Sequence, residues 1–150
     1  MEYYPDSGVY LLKLKLEENK NIKIGALGEK EFPAGYFFYA GTAQKNLQAR
    51  IKRHYSKDKK LHWHIDYLLN EAELIDDYVF ELPRAGECFL TEFMKSKGAE
   101  VLIDGFGASD CSCSSHLLYF PIKKADNIIN ILLKDLDIEK EFKEYQSRSD

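Results

Sequence analysis

The sequence predicts an α+β fold, a layered α/β sandwich in which a small, mainly antiparallel sheet is flanked by helices. Three observations point to it. Residues 8–16, GVYLLKLKL, set Tyr10, Leu12, Leu14 and Leu16 on one side and Val9, Leu11, Lys13 and Lys15 on the other, the two-residue period of a strand. Residues 44–55 carry Leu47, Ile51 and Tyr55 at i, i+4 and i+8, the spacing of one helix face. Short runs of both kinds then follow one another along 150 residues that are 45% apolar, enough for one domain with its own core.

The elements follow in order. After the strand at 8–16, the β-like NIKIGALG supports a second at 21–26. Tyr36, Phe37, Phe38 and Tyr39 form a third, over 35–40, aromatic on both faces, and Gly41 reads as a turn or a position of close approach. In the helix over 44–55, His54 sits beside the buried stripe and Arg50 at its border, while Lys45, Lys52 and Arg53 face water. A second helix, 61–72, buries Leu61, Ile65, Leu68 and Ala72, pairs His62 with Asp66 at i, i+4, and carries His64 on the other flank. A strand over 73–81, a helix over 86–97, a strand over 116–121 and helices from Lys123 onward complete the chain. The helix over 86–97 has Phe89, Leu90, Phe93 and Met94 as its apolar stripe and Glu87 in its first turn, where the helix dipole favours a carboxylate. The last helix, 134–146, is amphipathic through Leu136, Ile138 and Phe142 and can pack within the chain or against a second copy; residues 147–150 are expected to fray.

Charge is unevenly distributed. The net charge is −4, yet residues 44–60 hold Lys45, Arg50, Lys52, Arg53, Lys57, Lys59 and Lys60 against Asp58 alone, about +6 against about −10 for the rest. Concentrated cations attract a phosphate backbone by displacing its counterions, so the segment reads as a nucleic-acid surface, for DNA or RNA. The plainer reading is a solvated basic helix. No secretory, targeting or membrane-spanning run appears and no membrane partner is expected; three cysteines, an odd number, suit a reducing compartment, hence the cytoplasm.

Gly8-Val9-Tyr10 on the first strand, Tyr39-Ala40-Gly41 on a later one, and a helix bearing Arg50 and His54 together resemble the GIY-YIG nuclease superfamily. Within it the chain is most similar to an uncharacterised His- and Cys-rich branch, a domain of unknown function sometimes attached to endonuclease III in archaeal chains. WHIDYLL at 63–69, Glu87-Cys88 and GFGASDCSCSSHL at 105–117 carry that similarity, which spans nearly the whole chain. The resemblance implies a GIY-YIG-like fold and metal-assisted hydrolysis of DNA phosphodiesters by an endonuclease. Tyr10 would act as general base or orient the attacking water, Arg50 would clamp the phosphate, and Tyr39 and His54 would bond the phosphate or relay a proton. Glu87, preferred over Glu92, would hold Mg²⁺ or Mn²⁺. Lys45, Lys52, Arg53, Lys57 and His64 would contact the nucleic acid. The chain departs from the family in the 28 residues between Tyr10 and Tyr39, which imply an extra hairpin, and in Ala40 where an aliphatic residue is usual. Tyr10 also has a purely structural reading as a core-face tyrosine.

Cys111, Cys113 and His116, with Cys88, offer four soft ligands for a tetrahedral Zn²⁺, although C-x-C-x₂-H is not a standard finger spacing. Buried structural cysteines are the alternative. Besides the endonuclease, two other functions stay open: a non-catalytic nucleic-acid-binding module of the same fold, and a zinc-binding interaction protein.

Overall fold

A computed structural model describes residues 4–107, 115–121 and 137–149. The fold is α+β. Strands β1 (Gly8–Leu16), β4 (Gly35–Ala43), β5 (Glu73–Phe80) and β6 (Leu117–Phe120) make a four-stranded sheet in the order β5-β1-β4-β6, every pair antiparallel. The hairpin of β2 (Lys20–Lys23) and β3 (Glu29–Phe32) stands between the motif strands, as their wide separation implied, and a single 3₁₀ turn at Gly25–Leu27 joins its two strands. The expected strand at 21–26 therefore ends early, and β3 is the second strand of the implied hairpin, for which no range was expected.

Alternation along β1 fixes two cores. Tyr10, Leu12, Leu14 and Leu16 join Phe37, Leu47, Ile51, Ile65 and Leu68 beneath α1 (Leu47–Tyr55) and α2 (His64–Leu69). Val9 and Leu11 join Phe38, Phe89, Leu90, Met94 and Phe142 beneath α3 (Gly86–Ser96) and α4 (Ile138–Ser149). The two aromatic faces of β4 are thereby each buried on a different side of the sheet. Phe142 packs edge-on to Phe89 at 5.5 Å, so α4 docks within the chain. The helix continues to Ser149, where fraying was expected. The helices expected over residues 122–136 lie outside the described residues.

Two helix starts and one side chain differ from the expectation, each for a specific hydrogen-bonding reason. The helix α1 begins at Leu47 and not at residue 44, because Asn46 adopts a left-handed conformation (φ 56°) tied to Asp6 through two backbone N–H donors, its own and that of Leu47. Tyr55, expected in the core, is 42% exposed and donates its hydroxyl to Asp77 at 2.8 Å. The helix α2 is six residues long, since residues before His64 are extended and Asp66 accepts the N–H groups of His62 and Trp63, both at 2.9 Å. The expected side-chain pair of His62 with Asp66 is replaced by that backbone cap. Among the described residues no helix is long and apolar enough to cross a membrane.

Candidate active site

The β1–β4 register sets Tyr10 opposite Gly41 and Leu12 opposite Tyr39, so Tyr10 and Tyr39 are diagonal neighbours on the same face. That face meets the C-terminal half of α1, the turn into α2 and the start of α3. Together they enclose a cleft of about 370 Å³ lined by Tyr10, Tyr39, Arg50 and Glu87, with Gly41, Thr42, His62, Trp63, His64, Arg84 and Gly107 completing the wall. Four of the five residues to which the resemblance assigns chemistry thus share one cavity, and the fifth, His54, lies directly behind Tyr10.

Tyr10 Oη and His54 Nε2 are 2.8 Å apart, and both side chains are about 98% buried. Burial lowers the His54 imidazole from its ordinary 6.5 to about 3, assisted by the charges of Lys59 and Arg50. Burial likewise raises the Tyr10 phenol, although the Arg50 guanidinium beside it pulls the other way. Both groups are therefore neutral near pH 7. His54 Nδ1 has no partner among the described residues. The structural reading of Tyr10 also holds, for its ring is part of the core while its hydroxyl reaches the cleft. Burial, with Tyr10 and Glu87 nearby, raises the Tyr39 phenol well above 10, which keeps it a hydrogen-bond donor.

Arg50 is held from two sides. Nη1 donates to the carbonyl of Thr42 at 3.1 Å, and the guanidinium stacks 4.6 Å from the centre of the Trp63 ring. Arg53, expected to face water, stacks on the same ring at 4.3 Å and forms a two-pronged bond with Asp66, each N–O distance 2.9 Å. Asp66 is fully buried; burial alone would raise its carboxyl, but Arg53 and the two N–H groups outweigh this and hold it below its ordinary range. The Arg53–Asp66–Trp63 assembly thus buttresses Arg50 and commits most of the donors of Arg53 to the protein.

Glu87 points into the cleft at 18% side-chain exposure, and its Oε1 lies 2.9 Å from His116 Nε2. It is the one carboxylate among the described residues that line the cleft. A cation such as Mg²⁺ keeps most of its waters and needs one or two protein carboxylates, so the donor set fits a hard divalent ion. His64 accepts the Gly107 N–H at Nδ1 (2.9 Å) and packs against Phe106, while His62 is exposed over Trp63. A methyl at Gly107, where φ is +66°, would lie 2.8 Å from the Tyr39 ring, so glycine is required there.

Lys45 is exposed on the bend before α1 and Lys52 on α1 itself, and Lys57 donates to the carbonyl of Leu69 at 2.6 Å. Cys111 and Cys113 lie outside the described residues. Of their expected companions, Cys88 is half-buried on α3, and both ring nitrogens of His116 are hydrogen-bonded, to Thr91 and Glu87. Among the described residues no group of three or more His, Cys, Asp or Glu is disposed to hold a metal. Sequence reasoning missed Arg84, Trp63 and Thr91. Arg84 lies three residues before Glu87, close enough for its charge to have drawn notice, but Trp63 and Thr91 gain their roles from partners distant in sequence.

The model of the family described as Domain of unknown function DUF123 matches residues 9–137. No curated protein and no solved structure matches the chain.

Proposed function

We propose that this chain, which belongs to the family described as Domain of unknown function DUF123, is a metal-dependent endonuclease of the GIY-YIG type that hydrolyses phosphodiester bonds in DNA. One observation carries the reading: Tyr10, Tyr39, Arg50 and Glu87, from four separate elements, line a single cleft in which Tyr10 is already bonded to a neutral imidazole.

Each residue has a task suited to its chemistry. Arg50, prealigned by Thr42 and Trp63, would bind the scissile phosphate with its remaining donors and offset charge on the non-bridging oxygens. Tyr39 would donate to the same oxygens. Tyr10 Oη, held by His54, would accept a hydrogen bond from the attacking water and orient it, and the water proton leaves to solvent as its oxygen forms the bond to phosphorus. The bond from phosphorus to the leaving ester oxygen breaks, and that oxygen takes a proton from solvent. Glu87 would hold the divalent ion, which supplies Lewis-acid stabilisation of the phosphate and acidifies water bound to it. The exposed Lys45 and Lys52 would draw the backbone toward the cleft.

The deep burial of Tyr10 and the low basicity of His54 favour a second reading, a non-catalytic nucleic-acid-binding module with the same cleft. Incubation with labelled duplex, single-stranded, branched and abasic DNA, and with RNA, in Mg²⁺, Mn²⁺ or chelator separates the two. Metal-dependent cutting of DNA supports the endonuclease. Salt-sensitive binding without turnover in any metal rejects it in favour of the module.

A further inference from the structure

Among the buried polar groups that the mechanism above leaves unused is His116, the residue preceding β6. It is fully buried, and its backbone is fixed twice: its N–H donates to the Phe106 carbonyl (2.9 Å), and its carbonyl accepts the Ala40 N–H from β4 (3.0 Å). The ring is fixed twice as well. Nδ1 lies 2.8 Å from the hydroxyl of Thr91, a residue 1% exposed, and Nε2 lies 2.9 Å from Glu87 Oε1. Thr91 stands one turn beyond Glu87 on α3 and donates to the Glu87 carbonyl at 3.0 Å.

We propose that His116 is a positioning residue that, anchored by Thr91, holds one oxygen of Glu87 so that the other is presented to a divalent cation in the cleft. The inference rests on the reading of Glu87 as the metal ligand. A glutamate on a helix has three side-chain torsions, and a single carboxylate makes a useful ion site only if those torsions are fixed. Partners behind a metal ligand typically contribute ten- to a hundredfold in metal affinity. His116 is too deeply buried to touch a substrate and is not among the residues that line the cleft.

The plain alternative is that the network only joins α3 to the sheet. Two substitutions distinguish these roles, because the asparagine amide occupies the region of Nδ1 and keeps the Thr91 contact, whereas the glutamine amide reaches the region of Nε2 and keeps the Glu87 contact. Mn²⁺ binding, measured from the electron paramagnetic resonance signal of free Mn²⁺, would be compared for the parent, His116→Asn, His116→Gln and Thr91→Val, with Glu87→Gln as the blank and thermal melts alongside. The expected result is parent-like affinity in His116→Gln, about tenfold or greater weakening in His116→Asn, and a smaller weakening in Thr91→Val. Equal affinity in His116→Asn and the parent would overturn the inference while leaving the Glu87 site intact. If His116→Asn does not fold, Thr91→Val decides, and parent-like affinity there overturns it. A parent that binds Mn²⁺ no better than Glu87→Gln would reject the metal reading itself.

Discussion

Gly41 lies directly across the β1–β4 pair from Tyr10, and a methyl group at Gly41 would stand 2.5 Å from both Cζ and Oη of the phenol. The glycine of the second tripeptide is therefore the space into which the tyrosine of the first tripeptide folds. Its requirement is steric, since its backbone lies within a regular strand and not in a turn.

The Gly41→Ala substitution is expected to cost about 1–3 kcal/mol, the usual range for overpacking a rigid site. Tyr10 cannot yield freely, because its ring is in the core and its hydroxyl is bonded to His54. Urea unfolding of the variant reads the cost, and cleavage should fall at least tenfold as the phenol is displaced.

Acid should destabilise the fold through His54. Its pKa is about 3 when folded against 6.5 ordinarily, so between those values the unfolded chain binds a proton that the folded chain refuses. Stability is then full above pH 6.5 and falls as pH drops toward 3, by up to about 1.4 kcal/mol per pH unit from this one group. His54→Gln retains a polar partner for Tyr10 and removes the titration. Denaturant unfolding at pH 7, 6, 5 and 4 should show a shallower decline in the variant, and an unchanged decline would contradict the burial argument.

Removal of the Asp66 charge should weaken both the fold and the cleft. Asp66→Asn leaves Arg53 without its ionic partner and loosens the cap on α2, at an expected cost of about 2–4 kcal/mol, with the 30% exposure of Arg53 keeping it below the full value for a buried pair. Because Trp63 is held by the same carboxylate and supports Arg50, the variant should also cleave more slowly at temperatures where it remains folded.

The exposed lysines on α1 and on the bend before it should contribute affinity without contributing chemistry. The double change Lys45→Ala, Lys52→Ala is expected to reduce the salt dependence of DNA binding by about two in the slope of log K against log salt. The single-turnover cleavage rate at saturating protein should stay at the parent value.

Much of the fold was legible because its signals are local. Alternation in 8–16 gave β1 with both its faces, and the spacing of Phe89, Leu90 and Met94 gave α3 with its buried side. The errors arose where a distant partner prevailed over local pattern. Asp6 reset the start of α1, Asp77 drew Tyr55 out of the core, and the Arg53 pair turned Asp66 from a helix-surface partner of His62 into a buried cap. In the cleft, Tyr10, Tyr39, Arg50 and Glu87 were nameable from the family resemblance, and the Arg50–His54 edge from the helix wheel. Trp63 beneath Arg50 and His116 behind Glu87 were not, for their roles depend on how α2 and the segment before β6 meet the other elements.

The most direct test of the account is the single-turnover rate of cleavage by the parent and by Arg50→Ala, on the DNA that the parent cuts best, with protein in excess over substrate and saturating Mn²⁺. Among the described residues Arg50 is held by the Thr42 carbonyl and the Trp63 ring and by no carboxylate, so the variant should melt near the parent temperature and still bind DNA. The account predicts a loss of at least a hundredfold, on the order expected when a donor to a developing oxyanion is removed. A variant that binds and cuts at the parent rate would contradict it.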